Sequence, residues 1–360
     1  MKRITLTCFA LLSFFNIHAQ GQLNMSLLGR WDEDGLPMSS FVKYNDIWGY
    51  ADCEGREYAI MGSARYTHFL DITNPQEPIE VSRFSGSVNS IWRDFKTYGH
   101  YAYGVADQGT DGLMVFDLGS LPDTVTQVNQ LTGIFLTAHN IFIDQAQGRL
   151  YVAGSNSRGN GVIVFDLKAD PSNPTLLASI PLPGGYIHDI YVRDNIAYCS
   201  HGNQGLAIYD LTDPNNLIPL GSLTSYPEQG YNHASWLTED GTKLVFADET
   251  HGRSLKLADV SDPANITILD LFKSSLLAPS ATNSIAHNPF VRGQYAIVSY
   301  YHDGVQIFDL SNPEDVQQVA YFDTYPGNQN YSGYEGCWGV YPFLPSGNII
   351  ASDITHGLFV

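Results

Sequence analysis

The chain has 360 residues, 37 acidic against 18 basic, for a formal net charge of -19, yet only 15% of it is charged and 12% is aromatic. Soluble globular chains average about 25% charged residues, so this deficit, with 33 Gly, 22 Tyr and 18 Phe, favours short strands and tight turns over helices. The 44% hydrophobic content excludes a disordered chain, and an acid excess with no basic cluster excludes a nucleic-acid partner.

Lys2 and Arg3 precede an apolar run over 4–17, and Ala19 is a small residue at a cleavage-like position. This pattern predicts a secretory signal peptide over 1–19, with residues 20–360 exported or held at the cell surface. The run is too short to span a bilayer, so no transmembrane segment is expected. Cys8 lies inside the run rather than after it, which argues against a lipoprotein anchor. Cys53, Cys199 and Cys337 then remain, an odd and widely spaced set in which at most one bridge is expected.

From residue 67 onward one phrase recurs. Gly-Leu-Ala-Ile-Tyr-Asp-Leu at 205–211 returns at 112–118, 161–167 and 304–310, and more loosely at 67–72 and 254–260. Its Asp falls at Asp71, Asp117, Asp166, Asp210, Asp259 and Asp309, spacings of 46, 49, 44, 49 and 50. Upstream of each phrase lie two further β-rich runs, such as 188–192 and 196–200, and downstream an Asn-Pro or Asp-Pro turn precedes a last short run, such as 218–223. Four strands per unit, separated by Gly, Asn, Asp and Pro, predict small antiparallel sheets. The recurrent Asp has a local reason, since Asx side chains accept from backbone N–H groups two residues on and so set the turn.

Four-stranded units at this period predict an all-β, seven-bladed β-propeller, because each sheet can bury its faces only against its neighbours. Six units carry the six Asp residues. A seventh begins at Trp338-Gly339-Val340, continues through 349–353 and reaches 357–360. Its outer strand is expected from the N-terminal stretch 25–31, which resembles 220–223 and would close blade seven.

Alignment of the inner strands exposes a ring. His188-Asp189-Ile190 corresponds to His139-Asn140-Ile141, His233-Ala234-Ser235, His287-Asn288-Pro289, Asn45-Asp46-Ile47, Arg93-Asp94-Phe95 and Trp338-Gly339-Val340. Four imidazoles from consecutive blades would thus meet at one height of the channel. Loops between second and third strands open on the same face and carry Asp248-Glu249-Thr250-His251, Asp353-Ile354-Thr355-His356, His302 and His201, while blade one contributes His68. Of the ten histidines after residue 20, only His100 is expected on the other face.

Imidazole suits zinc, copper, iron and nickel, and carboxylates complete or orient such shells. The expected metal ligands are therefore His139, His188, His233, His287, Asp248, His251, Asp353 and His356, with zinc or copper as the ion. Asn45, Arg93, Glu249, His302 and Trp338 are expected to contact a small polar or anionic ligand; a fixed Arg93 cation would repel a metal and welcome an anion. Polar side chains that merely keep a channel mouth hydrated give the same composition. Tyr44, Tyr186, Tyr231, Tyr300, Tyr301, Tyr331 and Tyr334 fall on this face and suit a sugar or peptide, or pack between blades. Cys337 neighbours the ring as a thiolate ligand or an inert buried thiol. No Gly-x-Ser-x-Gly, His-Glu-x-x-His or Cys-x-x-Cys motif occurs.

The Leu-x-Ile-x-Asp phrase, as in 206–210, resembles the LVIVD repeat. The wider pattern, with Tyr44-Asn45-Asp46-Ile47-Trp48-Gly49-Tyr50, Gly55-Arg56-Glu57-Tyr58-Ala59 and Asn89-Ser90-Ile91-Trp92-Arg93-Asp94, resembles the secreted bacterial choice-of-anchor B family. That resemblance implies an exported propeller displayed through differing C-terminal anchors; this sequence departs from it by ending at Val360 without one. The expected function is a monomeric binding or scaffold module that holds a metal, a small polar ligand, a glycan or a surface protein. The alternative is a copper- or zinc-dependent oxidase or hydrolase, similar in outline to His-ringed copper propellers such as selenium-binding-type thiol oxidases.

Overall fold

The recurrent phrase builds the third strand of each blade, and the runs around it supply the rest. The computed structural model describes residues 21–156, 161–327 and 330–360, so the leader expected over 1–19 lies outside the described residues. Blade one comprises Tyr44–Ala51, Glu57–Ser63, Tyr66–Asp71 and Ile79–Ser85, and blade four Asp189–Arg193, Ile196–Ser200, Leu206–Asp210 and Ile218–Leu223. Inner strands of the other blades are Arg93–Tyr98, Asn140–Asp144, Asn232–Leu237, Pro289–Arg292 and Cys337–Tyr341. Seven antiparallel sheets result, and one 3-10 turn at Pro263–Asn265 is the helical element among the described residues. No described helix is long and apolar enough to cross a membrane.

Each inner strand from blade one to blade five contacts the next, the second strand of blade six, Tyr295–Ser299, contacts the inner strand of blade seven, and that strand returns to blade one. Second and third strands are buried on both faces, as in Leu113–Asp117, whereas the outer strand Thr126–Leu131 alternates exposed and half-buried residues. That contrast explains why the middle runs read as continuous apolar segments. Packing between sheets joins Val164 to Ile190, Ala197 and Cys199 across blades three and four, and Val245 and Leu257 to Val291 and Val298 across blades five and six.

Two local devices explain the phrase itself. All six recurrent Asp side chains accept the N–H of the residue two positions on, as with Thr73, Thr212 and Ser311. The leading glycine lies against the outer strand: a Cβ on Gly205, whose φ is +86°, would fall 2.3 Å from the Leu223 carbonyl oxygen.

At the N-terminal end, Arg30–Trp31 pairs with Gly357–Phe359 of blade seven, and Gln22–Leu23 pairs with the outer strand Gln317–Phe322 of blade six. The stretch expected as one strand over 25–31 therefore pairs as a strand only in its last two residues, because the chain must first cross from the edge of one blade to the next.

Candidate metal centre

A regular strand would not aim the ring position into the channel. On these strands it is the next residue and the one two further on, such as Asn140 and Phe142, that line the axis. His139, His188 and His287 sit just before their strands begin, and His233 is the extra residue of a register shift between Asn232 and Ala234. Asn45 and Trp338 lie in matching shifts of blades one and seven. Irregular backbone of this kind re-aims side chains, and here it turns the imidazoles to the mouth.

The four rings stand side by side around the channel. Centroids of His139 and His188 are 4.1 Å apart, those of His188 and His233 4.4 Å, and those of His233 and His287 4.4 Å. Trp338 continues the row at 4.9 Å from His287, and Trp92 flanks its other end at 5.8 Å from His139. Two sets of donor atoms, His139–His188–His233 and His233–Glu249–His287, each gather within 4.8 Å, and His233 belongs to both. Glu249 reaches the row from the blade-five loop: one carboxylate oxygen is 3.7 Å from His233 Nε2 and the other 4.0 Å from His287 Nε2.

The Nδ1 atoms of three of the four rings are engaged, while that of His233 has no hydrogen-bond partner among the described residues. Nδ1 of His287 donates to the Trp338 carbonyl, which can only accept, so Nε2 keeps its lone pair. By the same reasoning Nδ1 of His139 donates to Asp107 at 3.2 Å. Nδ1 of His188 meets the hydroxyls of Tyr231 at 3.2 Å and Tyr186 at 3.5 Å. His188 Nε2 is buried without a hydrogen-bond partner among the described residues. A ligating histidine shows this pattern, one nitrogen fixed by a neighbour and the other left to the metal.

Burial holds three of the rings neutral. It pushes His188 and His233 well below the usual imidazole range, with repulsion from neighbouring histidines adding to the effect, and takes His287 down to about 3. Neutral imidazole is the ligating form. Burial also raises the Glu249 carboxyl, against the lowering effect of the Tyr301 hydroxyl that donates to it.

Several expected residues lie elsewhere. The Arg93 guanidinium does not face the imidazoles: Nε donates to the Ser63 carbonyl at 3.0 Å and Nη2 to Ala64 at 3.3 Å, with Asp111 3.7 Å from Nη1. Its length carries the charge into the seam between blades one and two, where backbone carbonyls replace water. Asp248 is fully buried and spent on the Lys256 ammonium at 2.5 Å and the Tyr226 hydroxyl at 2.8 Å, because adjacent side chains of a loop point apart and Glu249 takes the channel side. Asp353 accepts from the Thr324 hydroxyl and pairs with His356 Nδ1 at 3.0 Å, a closed unit outside both donor sets. His251 contacts the Asn283 carbonyl at 3.3 Å, and His302 Nε2 meets Glu335 at 3.0 Å; neither joins the row. His68 is buried between Ser63 and Glu80 rather than at the mouth, and His201 hydrogen-bonds the Tyr186 carbonyl. Asn45 donates to the Ile91 carbonyl at 3.0 Å.

Of the tyrosines, Tyr186, Tyr231 and Tyr301 serve the histidine and Glu249 side chains; Tyr44 bonds Asp32 and Tyr331 bonds Asp303. Cys53, Cys199 and Cys337 are free thiols, and burial raises the Cys337 thiol well above its ordinary range, which disfavours a thiolate ligand. Asp107 is the partner the sequence reading missed, although it follows Ala106 as Asp248 follows Ala247.

Residues 184–224 match the LVIVD repeat family, a segment that spans blade four and includes His188. No curated protein matches the chain.

Proposed function

We propose that the chain is an exported binding module whose propeller holds one transition-metal ion, zinc or copper, at the histidine mouth of its channel. The observation that carries this reading is the row of four adjoining imidazoles, in which His139, His188 and His287 each have Nδ1 engaged by a neighbour and His188 Nε2 is left without a partner among the described residues. A hydrated channel mouth would not require imidazoles to be desolvated in pairs, at a cost of several kcal/mol for any that becomes charged. His233 is the shared ligand, His139 and His188 complete one side, and His287 with Glu249 the other. The resemblance to secreted propellers supports display outside the cell, with a polar ligand or surface partner engaging the exposed face.

The enzyme reading rests on Glu249. Were the ion held by His139, His188 and His233 alone, it would supply activated water, and Glu249, raised by burial and beside His233, would be the base for it instead of a ligand. Incubation with zinc or copper followed by exhaustive dialysis tests the shared premise. Stoichiometric retention by the wild type, lost in His188→Ala, supports the site; protein that stays metal-free sinks both readings.

A further inference from the structure

The histidine row is only the first layer of the channel. Three residues further along each inner strand the aligned positions are Trp48, Phe142, Tyr191, Trp236, Phe290 and Tyr341, with Lys96 as the one exception. Their rings touch around the axis: Phe142–Tyr191 at 4.9 Å, Tyr191–Trp236 at 4.7 Å, Trp236–Phe290 at 4.8 Å and Trp48–Tyr341 at 4.8 Å between centroids. Trp48, Phe142, Tyr191, Trp236 and Tyr341 of this layer, with Lys96 and with Arg193 further out, wall a cavity of about 710 Å³ at the mouth opposite the imidazoles, a size that suits a small molecule; the Arg193 guanidinium is itself turned to the Thr238 and Glu239 carbonyls.

Between the two layers lies a belt of Asp46, Asp94 and Asp189, joined by Asn140 and Asn288. Three carboxyl groups share one ammonium. Lys96 Nζ is 2.6 Å from Asp94 and 4.5 Å from the centre of the Trp48 ring. Of the other two, Asp46 accepts from the Phe95 N–H and Asp189 from the Asn140 amide, both neutral donors. In the same wall Ser235 is 4% exposed, and its hydroxyl has no hydrogen-bond partner among the described residues.

We propose that this mouth binds a small organic cation, an alkylammonium or quaternary ammonium compound, with its head group inside the aromatic layer and facing the carboxyl belt. Aromatic faces attract cations most strongly when both are desolvated. Lys96 shows that the chain already holds one cation against Trp48, and burial raises the Asp46 and Asp189 carboxyls of the belt, so that a cation beside them would draw them towards the ionised form. A neutral sugar would meet the same rings and gain neither attraction.

Choline and 3,3-dimethyl-1-butanol have the same shape and differ in charge, so calorimetric titration of both tests the idea. Choline is expected to bind roughly 5- to 30-fold more tightly, the ratio that cation–π attraction of about 1–2 kcal/mol gives. Trp236→Leu should weaken choline about fivefold or more. Lys96→Met should strengthen it, because the guest inherits Asp94 and the Trp48 face; damage to the fold would act the other way. Circular dichroism and thermal unfolding establish that each variant is folded. Equal binding of the two probes overturns the proposal, as does a neutral saccharide that binds where choline does not, or absence of saturable choline binding in both the wild type and Lys96→Met.

Discussion

Because burial holds His287 near pKa 3 while a histidine in the unfolded chain titrates near 6.5, the metal-free protein should resist acid less well than a variant without this imidazole. Between those two values the unfolded state binds a proton that the folded state refuses. Stability from this group is therefore complete above about pH 6.5 and is lost as pH falls. From pH 7.5 to 5 the loss is about 2 kcal/mol for His287 alone. Buried carboxyls act in the opposite sense: burial raises Asp189 to about 7, and Asp303 and Asp323 to about 6, so each favours the fold as pH falls. Net stability therefore mixes opposing signs, and the difference between wild type and His287→Gln is the quantity to measure, since most carboxyl contributions cancel in it. Urea unfolding in the presence of chelator should show the variant gaining about 2 kcal/mol relative to wild type between pH 7.5 and 5. A gap that stays constant over that range would refute the reasoning, because it would mean His287 titrates alike in both states.

Other expectations follow from particular contacts. Tyr231→Phe removes the hydroxyl that meets His188 Nδ1 and should weaken zinc binding about 10- to 100-fold, as loss of an outer-shell partner does; equilibrium dialysis reads it. Arg93→Met leaves Asp111 without its cation and the buried Ser63 and Ala64 carbonyls without their donor, so unfolding should cost about 3–5 kcal/mol less while zinc affinity is unchanged. Gly205→Ala places a methyl against the Leu223 carbonyl, whereas Gly241→Ala, at φ +73° with open space around it, meets backbone strain alone. The first should lower the melting temperature more than the second, whose cost is about 1–2 kcal/mol.

The blades were legible because the repeat is written in backbone chemistry: an Asp that caps the turn and a glycine the outer strand touches. The histidine row was legible for a related reason, since four blades put His at the position where the inner strand begins. What alignment does not convey is where a side chain at a shared position points. Arg93 occupies the ring position, yet its reach carries the guanidinium to the carbonyls of Ser63 and Ala64. Asp248 and Glu249 are neighbours in one loop, and only the structure shows that the first goes to Lys256 and the second to the imidazoles. The aromatic layer was open to the same alignment three residues further on, but its apolar side chains read as ordinary core.

X-ray absorption on the zinc- or copper-loaded protein tests the central claim most directly. A first shell rich in imidazole nitrogen, near 2.0–2.1 Å for zinc, is expected to be lost in His233→Ala, because both donor sets depend on that residue, and kept in His251→Ala and His356→Ala. A shell that survives the loss of His233, or a metal held without histidine nitrogen, would contradict it.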